Sequence, residues 1–137
     1  MVSCQQSVVF NQTHDIYGEG WHEDSTALFE AMLIDSIGDY QMLINIRHTD
    51  KYPYQNLWLF VDIAQDSFLL HRDTIEAQMA NSRGEWYGAG TSQYTIPLAY
   101  INHITLPKGP YIIRVQQGMR EEWLRGINAV GVKVEKL

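Results

Sequence analysis

Cysteine is almost missing from this chain: 137 residues contain one, Cys4, beside a polar Gln-Gln pair. Without a second thiol no disulfide can close within the chain, and no cysteine cluster can bind a metal. Also missing is any apolar run of roughly 18 residues, so no transmembrane helix is encoded. Cations are scarce, ten Lys and Arg against sixteen Asp and Glu, for a net charge of −6 and a pI near 5.2. That balance excludes general nucleic-acid binding, which needs a basic surface to neutralise phosphates. It equally argues against electrostatic docking on an anionic membrane face.

The signatures of catalysis are missing as well. The five histidines, His14, His22, His48, His71 and His103, form no HExxH and have no tight spacing to carboxylates, so they read as surface or turn residues and no metal is assigned. Asp15, Glu19, Glu23 and Asp24 lack the DxDxDG spacing of a calcium loop and read as a solvated acidic edge. In GEWYGAG the glycines Gly84, Gly88 and Gly90 do not match GxGxxG, which leaves a turn or bulge with Trp86 packed nearby. No GxSxG elbow presents a serine. The chain is therefore expected to be no enzyme and to need no cofactor.

What is present is a period of two. In TALFEAML the positions Ala27, Phe29, Ala31 and Leu33 line one face, and in YQMLINIRH so do Tyr40, Met42, Ile44 and Ile46. YIIRVQQ and AVGVKVEK repeat the alternation, with Tyr111, Ile113 and Val115, then Val130, Val132 and Val134 pointing inward. LWLFVDI is apolar on both faces, which predicts a central strand covered on its outer side. Turn-forming stretches at Gly18–Gly20, Ser36–Asp39, Lys51–Pro53, Asn81–Gly84 and Pro107–Pro110 separate these runs. Strands recurring every 10–15 residues or so predict an all-β antiparallel sandwich, jelly-roll-like, in a single domain over residues 8–137. RDTIEAQMA reads as a strand or one short helix, and MREEWLRGI carries helical spacing at Met119, Trp123 and Ile127.

Residues 1–7 read as a tether, and here the lone cysteine finds a use. Val2-Ser3-Cys4 has the form of the end of a bacterial lipobox. Met1 then stands inside a signal peptide whose upstream part this sequence lacks. Across Trp21 to Glu135 the chain resembles the gliding-motility lipoprotein GldH family of Bacteroides-type bacteria (Bacteroidetes). The most specific stretches are Arg47 to Leu57, with its YPYxNL, and Gln117 to Gly131, with its QxMR…LxGI…VG. The resemblance implies a secreted lipoprotein of the cell envelope, lipid-anchored to a membrane through acylated Cys4 and facing the periplasm or cell surface. It implies no catalytic activity. It also implies a part in gliding, a process coupled to adhesin movement and protein secretion, through contacts with other envelope proteins.

The binding surface is expected around DKYPYQN and the strand it feeds, at Tyr54, Asn56 and Trp58, with Trp86 a further aromatic contact. Pro53 stiffens the loop, which lowers the entropy lost when its aromatics bind. The competing reading has Trp58 filling a small core beneath a loop. The alternative function is a carbohydrate-binding module that stacks sugar rings on the same aromatics.

Overall fold

The structure, a computed structural model, describes residues 7–137; Cys4 and the rest of the first six residues lie outside them. Nine strands follow in order: β1 (Ser7–Asp15), β2 (Trp21–His22), β3 (Ala27–Thr49), β4 (Asn56–Gln65), β5 (Phe68–Gln78), β6 (Ala89–Gly90), β7 (Gln93–Gln117), β8 (Trp123–Leu124) and β9 (Ile127–Lys136). No helix occurs among the described residues. The period-two pattern is obeyed: Phe29, Tyr40, Met42, Ile44, Ile46, Tyr111, Ile113, Val115, Val130, Val132 and Val134 are all buried in one continuous core.

Two expected turns are not chain reversals. Ser36–Asp39 lies inside the 23-residue β3, and Pro107–Pro110 inside the 25-residue β7. There the two strands, paired with each other along their length, bend together and pass from one sheet to the other. The register slips between Leu33 and Ile37, and Gly109 opposite adopts φ 147, beyond the comfortable range of an L side chain. Pro107 faces Ile37 across this bend, where the ladder is already irregular.

Residues 39–49 of β3 join β1, β9 and residues 93–107 of β7 in one sheet, in the order β1-β9-β3-β7. Residues 27–33 of β3 and 109–117 of β7 join β4 and β5 in the second, in the order β3-β7-β4-β5. Counting each half of β3 and β7 separately, this strand order is that of a jelly roll. A separate two-stranded ribbon, β2 with β8, carries the buried Trp21. The helical spacing at Met119, Trp123 and Ile127 is overridden here: Arg120 takes φ 61, and the segment runs extended as β8 into β9.

One expectation fails. β4 lies between β7 and β5, but its outer face is uncovered: Trp58 is 38% and Phe60 45% exposed, while Leu57, Leu59, Val61 and Ile63 are fully buried. The second apolar face of LWLFVDI therefore belongs to the surface. RDTIEAQMA resolves as strand through Gln78, the later part of β5, and leaves the strand at Met79.

Candidate partner-binding surface

The loop before β4 is held by its own tyrosine. Tyr52 is 2% exposed and donates its hydroxyl to the Asn56 carbonyl, closing the loop on itself. Burial, with Glu121 nearby, pushes its phenol well above the ordinary tyrosine range. Its backbone N–H donates to the Thr49 carbonyl at 3.2 Å, and the Gln55 carbonyl accepts from Met79 N–H at 2.7 Å. Of the two tyrosines flanking Pro53, one is thus a plug; Tyr54 is the exposed one, its ring centroid 5.9 Å from that of Tyr52.

From this anchor β4 carries Asn56, Trp58 and Phe60 outward at period two. They line an open groove of about 530 Å³ with Thr74 of β5 and Gly118, Met119 and Arg120 beyond β7. Trp58 lies opposite Glu76, and Phe60 between Thr74 and Gln116. Asn56 donates to Glu76 at 2.8 Å, so its amide is held in place at the groove end. The far wall is built by one buried polar side chain, Gln117. Its Oε1 accepts the Met119 N–H at 2.8 Å and its Nε2 donates to the Glu121 carbonyl at 2.6 Å, which fixes the turn carrying Met119 and Arg120. Gly118 N–H donates to the Trp58 carbonyl at 2.7 Å, and a Cβ on Gly118 would stand 3.0 Å from the Phe60 ring. The result is an apolar floor of Trp58, Phe60 and Met119 with amide, carboxylate and guanidinium groups around it. Such a surface suits recognition of another macromolecule; it holds no nucleophile paired with a base.

Trp86 lies elsewhere. Its ring packs edge-on against His48 at 4.6 Å and near Tyr94 and Tyr52, and its Nε1 donates to Asp50 at 2.8 Å. The structure thus brings Asn56 and Trp58 together, sets Tyr54 at the loop beside them, and places Trp86 in a separate aromatic cluster. His48 itself is fully buried rather than a surface residue. Its Nδ1 lies 3.2 Å from the Thr49 carbonyl, its Nε2 has no partner, and burial lowers its pKa. Phe60, Gln117 and Met119 were not singled out as site residues by the sequence. Only the doubled apolar face of LWLFVDI pointed to Phe60, and nothing local marks Gln117.

Among the described residues no group of three or more His, Cys, Asp or Glu side chains converges on a point that could hold a metal. Arg72 grips Asp62 through two bonds of 3.0 and 3.1 Å farther along the same face.

The family model described as GldH lipoprotein matches residues 8–134. The gliding motility lipoprotein GldH of Flavobacterium johnsoniae is 33% identical, over 99% of this chain and 89% of its own length. A GldH homolog from Christiangramia forsetii is 34% identical, over 98% of this chain and 87% of its own. Among solved structures, a family GH115 4-O-methyl-α-glucuronidase aligns with TM-score 0.50 at 13% identity, over 98% of this chain and 18% of that one, a likeness of fold alone. The chain belongs to the GldH lipoprotein family.

Proposed function

We propose that this member of the GldH lipoprotein family is a lipid-anchored, non-enzymatic component of the envelope's gliding-motility and secretion machinery, working through protein–protein contacts. The observation that carries the reading is the breadth of the family match, residues 8–134, against relatives named as gliding motility lipoproteins. Cys4 is the acylated residue, and the domain faces the periplasm or the cell surface. A single acyl chain holds a protein only marginally, at about 0.8 kcal/mol per buried CH₂, so the several chains of a bacterial lipoprotein cysteine are what make attachment lasting.

The partner seats on the groove floored by Trp58 and Phe60, with Asn56 and Arg120 among its lining residues and Tyr54 on the loop beside it. Exposed aromatics over an uncovered sheet face support this, since aromatic anchors and arginine dominate binding energy at interfaces. Trp86, which packs on His48 and bonds Asp50, holds the neighbouring loop in place and widens the contact surface.

The test expresses the precursor, signal peptide included, in cells of the source type. Cys4→Ala is expected to leave the membrane fraction after a carbonate wash; retention there overturns the assignment of the anchor. The pair Trp58→Ala and Phe60→Ser is expected to stay in the membrane and lose the envelope proteins that co-purify with wild type. An unchanged partner set overturns the groove as the contact surface. Binding of wild type to a glycan array, abolished by the same pair, would put sugar stacking in place of protein contact.

A further inference from the structure

The two bends that carry β3 and β7 between sheets lie at one end of the sandwich, and the described chain begins there. Ser7 pairs with Lys136, Lys136 pairs with Tyr40 and forms an ion pair with Asp35 in the β3 bend, and the Leu137 N–H donates to the Asp39 carbonyl at 2.9 Å. The β4–β5 turn belongs to the same end, since Phe68 pairs with Gln65 and the Gln65 amide reaches the Lys108 carbonyl in the β7 bend. Several large apolar side chains stand exposed at this end. Ile34 is 76%, Ile37 67% and Phe68 72% exposed, with Leu69 beside them. Single exposed apolar side chains are ordinary, but several gathered at one end mark a surface that meets another phase or molecule.

We propose that this end is seated in the membrane leaflet that holds the anchor, with Ile34, Ile37, Phe68 and Leu69 dipping into the interface between headgroups and acyl chains. The inference rests on acylation at Cys4. Cys4 stands three residues before Ser7, and three residues fully extended span at most about 10 Å. The headgroup layer of one leaflet is itself roughly 5–8 Å thick. The tether is therefore consumed in crossing the headgroups, and Ser7, with Ile34 and Ile37 of the adjoining bend, is brought to the interface.

Charge favours the same orientation. The charges at this end nearly cancel: Asp35 pairs with Lys136, Asp66 and Lys108 are exposed and of opposite sign, and the one further carboxylate, Asp39, accepts the Thr105 hydroxyl at 2.5 Å. The acidic loop residues Glu19, Glu23, Asp24, Glu85 and Glu122 lie at the opposite end, away from an anionic leaflet. Seating through apolar side chains needs no basic patch, which agrees with the net charge of −6.

Because Cys4 is the sole thiol, the full chain can be coupled at one point to a maleimide lipid in vesicles of phosphatidylethanolamine and phosphatidylglycerol. Amide hydrogen exchange is then compared with the chain whose Cys4 is capped by a soluble maleimide. Exchange is expected to slow several-fold in residues 32–38 and 66–70 on the vesicles and to be unchanged in loops 79–92 and 119–125. Ile34→Ser with Phe68→Ser, both at exposed positions, is expected to fold normally, remain coupled and lose that protection. Unaltered exchange at 32–38 and 66–70 on vesicles, or protection that survives the double substitution, overturns the seating. Protection of the same segments in the capped chain alone, rising with concentration, also overturns it, in favour of a second copy. Chemical coupling makes this result independent of native acylation, which the fractionation of Cys4→Ala decides separately.

Discussion

Gly126, just ahead of β9, lies directly against the backbone N of Tyr52, so closely that a Cβ on it would collide with main chain. Its φ is 91, a conformation that L side chains rarely adopt, and its carbonyl accepts the Thr49 N–H at 2.9 Å. This contact sets the loop that feeds β4 and hence the start of the Trp58 groove. Gly126→Ala combines backbone strain with a collision that no side-chain movement relieves. It is expected to destabilise the fold by roughly 2–3 kcal/mol in denaturant titration. Gly18→Ala, where φ is 79 but nothing lies within 4 Å, is the comparison and should cost less.

Trp58 distinguishes surface from core. Being 38% exposed over an open groove, it should cost about 1–2 kcal/mol when replaced by alanine, much of that from lost partial burial. Ile63→Ala, fully buried on the opposite face of the same strand, should cost roughly 2–5 kcal/mol. Equal losses from the two in urea titration would return Trp58 to the core and remove it from the contact surface.

Gln117 is the polar peg of the groove wall. Gln117→Leu fills most of the same volume but leaves the Met119 N–H and the Glu121 carbonyl without their partners. A loss of roughly 1–3 kcal/mol is expected. Amide exchange at 118–121 should rise more than elsewhere, and a uniform rise would show that the turn is held by something other than this side chain.

His48 ties stability to pH. The unfolded chain protonates it near pH 6.5, whereas burial holds the folded-state value below that. The folded ring faces the Thr49 carbonyl, the Asp50 carboxylate and the rings of Tyr52, Trp86 and Tyr94, and the first two only partly offset the desolvation. Above about pH 6.5 the contribution is fully present; as pH falls from there toward the folded value, the unfolded state binds more protons and stability drops. The melting temperature should therefore fall between pH 7 and pH 5, and fall less in His48→Phe, which keeps the ring packing and cannot be protonated. Parallel curves for the two proteins would place the acid sensitivity elsewhere.

The residues alone determined which side chains go inside. Alternation is local, so Phe29, Ile44, Ile113 and Val132 could be assigned to the core one strand at a time, and the all-β class followed. The family, too, was legible, because its motifs are read residue by residue. Tertiary structure alone decided what covers each face. The sequence LWLFVDI is equally apolar whether a second layer lies over Trp58 and Phe60 or none does, since coverage depends on segments distant in the chain. Likewise Ser36–Asp39 and Pro107–Pro110 carry the residues of turns, but β3 and β7 are paired along their whole length, and a paired ribbon meets such residues by bending rather than reversing. Trp86 left the groove for the same kind of reason, drawn onto His48 and Asp50 from another part of the chain. That bend, in turn, is what sets Ile34 and Ile37 beside Ser7, a proximity carried by the Asp35–Lys136 ion pair over about a hundred residues of chain and by no local pattern.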